Sequence, residues 1–225
     1  MAGFIFPFRK CFTRASEPPS SPIRKVPPEL LVEIFTICWS PFTAFPLPDD
    51  NTSFREELEH LAHAPLLNLA KVCSEWHAII LGTPSLWSDV RLVGALWSMP
   101  VKIPKVMQLL GTVLARSDRC PLTLVLSGTK SEPSHPPTLQ LLAQSADRWK
   151  SLAIRFDEAM SGGLTSIQGN LSRLETLFIE FWELEPELSA LDLFSSVPIL
   201  EHLEFYGPTD RLLDFRNFRW GNWSL

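Results

Sequence analysis

Four short stretches of alternating apolar residues recur along the second half of the chain, and no other feature limits its fold as much. They are Pro121-Leu-Thr-Leu-Val-Leu126, Leu152-Ala-Ile-Arg-Phe156, Leu174-Glu-Thr-Leu177-Phe-Ile179-Glu-Phe181 and Leu200-Glu-His-Leu203-Glu-Phe205. A period of two reads as strand. The leucines Leu122, Leu152, Leu177 and Leu203 are separated by 30, 25 and 26 residues. Helical spacing appears before the first strand, in Val106, Leu109, Leu110, Val113 and Leu114; after it, in Leu139, Leu142, Ala143, Ala146 and Trp149; and between the last two, in Leu184, Leu188, Leu191 and Phe194. One strand and one helix cannot bury both of their apolar faces, so such units must stack on their neighbours. Residues 93–225 are therefore expected to form an α/β solenoid. An array of this kind ends in a polar cap, yet Leu212, Leu213, Phe215, Phe218, Trp220, Trp223 and Leu225 are apolar content for one more repeat. The solenoid is expected to be incomplete, either as a truncated gene product or through association by this end.

The first part of the chain has a different rhythm. Residues 1–25 carry Arg9, Lys10, Arg14, Arg24 and Lys25 against Glu17, around Ser16-Glu-Pro-Pro-Ser-Ser-Pro22, and read as a disordered basic arm. Residues 26–92 read as a module of three helices. Pro27 and Pro28 open the first, where a missing amide costs nothing, and Leu30, Leu31, Ile34, Phe35 and Cys38 follow at helical spacing. Ser53-x-x-Glu56 has the form of a capping box for the second, lined by Phe54, Leu58 and Leu61. Pro65 opens a third through Leu69, Val72, Cys73, Trp76, Ile80 and Leu81, with Gly82 as its cap. Thr83-Pro84 then starts a short turn that presents Leu86 and Trp87. The chain's 20 prolines against 10 glycines fit many short elements with stiff connections.

Charge and composition narrow the function. A net charge of −5 is a poor basis for gripping nucleic-acid phosphates, and the three arginines among the aromatics near the end are too few to change that. The amino terminus is apolar first and basic second, the reverse of a secretory signal. No window approaches the roughly 18–20 apolar residues that a membrane span needs. Cys11, Cys38, Cys73 and Cys120 lie far apart, and so read as reduced thiols of an intracellular protein, cytoplasmic or nuclear. On that reading the N-x-S/T triplets at Asn51, Asn170 and Asn222 carry no sugar. His60 and His63, beside Glu56, Glu57 and Glu59, come nearest to a metal or acid–base cluster, but a third ligand is missing and the helix's charged side is expected to be solvated. No nucleophile motif and no glycine-rich phosphate loop occurs; Gly162-Gly163 needs only a turn. No enzyme, cofactor or metal is expected.

Two sets of residues carry a family resemblance. Val26-Pro-Pro-Glu-Leu-Leu-Val-Glu-Ile-Phe35, then Val72-Cys-Ser-Glu-Trp-His-Ala-Ile-Ile80 and Thr83-Pro-Ser-Leu-Trp87, resemble the F-box of the fungal F-box-like families. Val26 stands where leucine or isoleucine is commoner and His77 where arginine is usual, and residues 40–65 look like an insertion. The Leu-x-x-Leu-x-(Ile/Phe) kernel downstream resembles a degenerate leucine-rich repeat that lacks the usual Asn or Cys. Leu114-Ala-Arg-Ser-Asp-Arg-Cys-Pro-Leu-Thr-Leu124 and Asp147-Arg-Trp149 are similar to the region that follows the F-box in such proteins.

The resemblance implies a non-catalytic substrate receptor of a ubiquitin ligase, with a Skp-type adaptor as partner and, through it, a cullin. It carries the adaptor contact to Val26, Pro27, Leu30, Leu31, Ile34 and Phe35, and leaves Cys73, Trp76, Ile80, Leu86 and Trp87 as the core of the module. A helical module of about 65 residues cannot bury all its large side chains alone, which fits a partner or the following repeat covering some. Residues 173–204 set eight carboxylates against Arg173. Glu180, Glu183 and Glu204 are the candidate face for a basic segment of an unidentified protein substrate. The alternative is a repeat scaffold that uses the helices only as an amino-terminal cap.

Overall fold

The computed structural model describes residues 22–39, 54–93, 103–127, 136–156, 163–181, 193–194 and 196–206. Residues 1–21, 40–53, the stripe Leu184, Leu188 and Leu191, Glu183, and the apolar end from 211 to 225 lie outside the described residues. Pro22–Lys25, the last residues of the expected arm, form a 3-10 turn.

Among the described residues, four helices precede the first strand: α1 (Pro28–Trp39), α2 (Phe54–Leu61), α3 (Ala64–Leu69) and α4 (Ser74–Gly82). The helix expected from Pro65 to Leu81 is broken in two. Ala70–Cys73 leave the helical path, Cys73 is extended (φ −159°, ψ 168°), and Val72 is exposed. A continuous helix there would have turned Val72 toward the core with Leu69. The turn Pro84–Trp87 buries Leu86 and Trp87.

Among the described residues, five strands follow, β1 (Asp89–Val93), β2 (Leu122–Ser127), β3 (Trp149–Phe156), β4 (Thr176–Phe181) and β5 (His202–Tyr206), with helices α5 (Ile103–Arg116) and α6 (Pro136–Ala143) in the first two connections. They form one small parallel sheet whose order is the order of the chain, β1-β2-β3-β4-β5. Parallel neighbours need crossover connections, which the spacing of the kernels supplied. β1 is absent from the sequence reading, since its five residues, close behind the turn at Trp87, give too short an alternation to separate from that turn. Trp149, expected on a helix, is the first residue of β3, because α6 ends at Ala143.

The inner face of the sheet is two apolar ladders. One runs Val90–Leu124–Leu152–Leu177–Leu203 and the other Leu92–Leu126–Ile154–Ile179–Phe205. Leu124, not Leu122, is thus the partner of Leu152. Leu122 and Leu124 share a face at period two, but Leu122 pairs with Trp149, and a register shift follows between Leu122 and Thr123. Val106, Leu110 and Val113 of α5 and Leu139 and Leu142 of α6 are buried in one core with the ladder residues from Val90 to Ile179. Gly163 sits against α6, where an added Cβ would lie 2.7 Å from the Leu139 side chain. Arg148 closes the turn after α5: its Nε donates to the Cys120 carbonyl (3.2 Å) and its Nη2 to Ser117 Oγ (2.6 Å). The resemblance around residues 114–124 and 147–149 therefore rests on a structural clamp.

A candidate protein-docking surface on the first helix

Almost every position of α1 (PELLVEIFTICW) is apolar or small, so the helix has two apolar stripes and only one can face the core. Leu31, Phe35 and Trp39, at i, i+4 and i+8, are buried, the first two with 1% exposure. Phe35 meets Trp76 edge-on, with ring centroids 5.0 Å apart. Leu30, Ile34 and Ile37, at i, i+4 and i+7, form the other stripe and are 48%, 44% and 78% exposed. Pro27 is exposed and Val26 half-buried at the entry to the helix. Ile23 and Val72 are further exposed apolar side chains of the module.

The six residues assigned to the adaptor contact thus divide. Val26, Pro27, Leu30 and Ile34 reach the surface, whereas Leu31 and Phe35 are spent inside and have no side chain left to offer. Ile37, not among those six, lies on the same side as Leu30 and Ile34 by its spacing and is exposed with them. Of the residues assigned to the core, Ile80, Leu86 and Trp87 are fully buried, while Cys73 and Trp76 are half-exposed.

Behind this helix lies a stack of rings. His63 has left-handed backbone (φ 53°, ψ 40°) in the turn between α2 and α3, a region that costs a non-glycine residue roughly 1–3 kcal/mol unless its surroundings hold it. Its imidazole is stacked between Trp39 (centroids 4.4 Å apart) and Trp87 (5.0 Å), and Nδ1 lies 3.1 Å from the Leu61 carbonyl. Trp87 Nε1 donates to the Ile80 carbonyl at 2.9 Å, and the Arg116 guanidinium covers the Trp87 ring at 4.3 Å. Burial holds the His63 pKa down to about 4. The expectation of a solvated His60–His63 side fails here, because the turn folds His63 inward to fill the space between two indoles. Among the described residues no three metal-ligating side chains converge, and no helix is long and apolar enough to cross a membrane.

The outer face of the sheet holds a second candidate surface. Ser127, Arg155 and Glu180 are register partners across β2, β3 and β4. Arg155 is buried, its Nε lies 3.0 Å from Glu180 Oε2, and its Nη1 donates to Ser127 Oγ at 3.3 Å. Glu180 is therefore neutralised in place and is not a free acidic contact. Glu204 is half-exposed and lies 2.6 Å from His202 Nε2.

Residues 23–93 match the family of F-box-like domains. This stretch is an F-box-like domain. Domains of the kind are recognition modules that generally bind Skp-type adaptors. The match spans α1 to α4 and ends on the last residue of β1. No curated protein matches the chain, and no solved structure does.

Proposed function

We propose that the chain is a substrate-receptor subunit of a Skp–cullin–RING ubiquitin ligase. The observation that carries this reading is the uncovered stripe Leu30–Ile34–Ile37 on the first helix of an F-box-like domain, opposite the stripe that holds the core. An apolar helix face of this size is suited to a groove on a partner. The region from β1 to β5, read as degenerate leucine-rich repeats, presents a protein substrate. The mechanism is positioning: two binding surfaces on one body raise the effective concentration of a substrate lysine near the conjugating enzyme. An intracellular site of action belongs to the same proposal, and the described cysteines Cys38, Cys73 and Cys120 are free thiols that suit it.

The test is calorimetric binding to a Skp-type adaptor. Leu30→Ala together with Ile34→Ala is expected to weaken binding at least thirtyfold, since central apolar anchors commonly cost upward of about 1 kcal/mol each, and to leave the melting temperature nearly unchanged. No binding by the folded wild-type chain would leave the scaffold reading in its place.

A further inference from the structure

We infer that the stripe on α1 has an occupant within the chain: residues 4–14 fold back along Leu30, Ile34 and Ile37 and hold that surface closed against an outside partner. The first ground is the chemistry of this segment, Phe4-Ile-Phe-Pro-Phe-Arg-Lys-Cys-Phe-Thr-Arg14, which lies outside the described residues. Its charge, and the prolines that follow it, suit a solvated arm. Four phenylalanines and an isoleucine between Phe4 and Phe12 do not. Segments that stay solvated are poor in aromatics, and apolar surface this dense calls for cover.

The second ground is complementarity. Glu29 and Glu33, one turn apart on α1, are exposed and form an acidic edge to the stripe, since Glu33 neighbours both Leu30 and Ile37 at helical spacing. Among the described residues neither carboxylate is held in an ion pair. Residues 4–14 carry Arg9, Lys10 and Arg14 beside their apolar side chains, and no carboxylate precedes Glu17. Apolar side chains thus meet the stripe while cations meet its edge, and opposite charges of this kind fix the register of a contact. The third ground is reach. The turn Pro22–Lys25 leads straight into α1, so the segment is rooted at the head of the stripe. Residues 15–21 span roughly 23–25 Å when extended, whereas Leu30 to Ile37 covers about 10 Å of helix. That tether lets the segment double back and keeps it at a high effective concentration. Where the partner is a ligase adaptor, arm and adaptor exclude each other, and only the open fraction of the chain binds.

Alkylation of Cys38 in the full chain tests this, read by mass spectrometry. Its thiol is exposed on α1 one turn beyond Ile34, beside whatever covers the stripe. Phe6→Ser with Phe8→Ser and Phe12→Ser is expected to speed the reaction at least fivefold and to leave the rate at Cys120 unchanged. Leu30→Ala with Ile34→Ala, on the other side of the same contact, is expected to do likewise. Carbodiimide coupling of the wild type is expected to join Lys10 to Glu29 or Glu33 within one chain. That product should fade in the Leu30/Ile34 variant, although both carboxylates remain. Equal Cys38 rates in the three proteins, or no such product in the wild type, would overturn the inference. So would coupling between chains only, which assigns the arm to a second copy. Unchanged Cys38 rates with co-sedimentation of the wild type, and not of the phenylalanine variant, on phosphatidylserine vesicles would give the arm to a lipid surface instead. The wild-type coupling decides even if a variant fails to fold. No adaptor is needed, so failure here is distinct from failure of the receptor reading. Where both hold, the phenylalanine variant tightens adaptor binding by the factor gained at Cys38.

Discussion

The helices before β1 and the sheet after it treat their apolar residues in opposite ways. Among the described residues, Ile23, Leu30, Ile34, Ile37, Val72 and Leu81 of the helical part are large, apolar and exposed, while from β1 onward only Ile199 is. In the sheet every inward ladder residue from Val90 to Ile179 is buried, and even outward Val125, Ala153 and Arg155 are covered. A parallel sheet between crossovers has little face to spare. A short helix that is apolar all round has to leave one stripe out. The difference teaches that binding capacity resides where local sequence oversupplies apolar surface, and contiguous surface of that kind marks interaction sites.

Neighbouring leucines on α1 offer the sharpest way to break the comparison. Leu31→Ala, in the core, is expected to cost about 2–5 kcal/mol, whereas Leu30→Ala one position earlier should stay within about 0.5 kcal/mol. Urea unfolding of the two variants measures both. Equal losses would mean that the two stripes are not distinct and that α1 has no free face.

A smaller effect is expected on the sheet. Arg155→Leu leaves Glu180 without its ion pair, and a partly buried group stripped of its partner costs about 1–3 kcal/mol. Glu180 remains partly open to solvent, which favours the lower end of that range. The same urea titration reads it. A neutral result would make the polar row an incidental surface feature, and the sheet would then resemble α1 more than it does here.

The smallest effect, a pH dependence, sits on the seam between the two parts. Burial raises the Asp89 pKa from 3.8 to about 6, and it lowers that of His63 from 6.5 to about 4. For Asp89 the folded state binds the proton more tightly, so its contribution is fully present below pH 3.8 and lost as pH rises through 6. For His63 the unfolded state binds it more tightly, so its contribution is present above pH 6.5 and lost as pH falls through 4. The two oppose each other across the same window. Asp89→Asn should be more stable than the wild type at pH 7, with the gain shrinking toward pH 4, and unfolding at pH 7, 5.5 and 4 measures it. A gain independent of pH would remove Asp89 from the account.

Much of this architecture is legible in the residues. The kernels around Leu152, Leu177 and Leu203 marked three strands, because a period of two is a local property, whereas their pairing in one parallel sheet came from the structure. The Val26–Phe35 and Val72–Trp87 segments pointed to the F-box-like domain for the same reason: short motifs survive without knowledge of the fold. Register, sidedness and partnership were not legible. Leu122 and Leu124 are equivalent by alternation, and only the pairing of β2 with β3 set Leu124 beside Leu152. Leu30 and Leu31 are equivalent by hydropathy, and contacts from outside the helix, Trp76 on Phe35 and His63 on Trp39, chose the buried stripe. His63 looked like a solvated helix residue until a left-handed turn carried it between Trp39 and Trp87. Glu180 looked like free charge until the pairing of β3 with β4 set Arg155 beside it. Sequence determines what each segment can bury. Which of its equivalent faces is buried depends on residues tens of positions away, and that choice belongs to the tertiary structure.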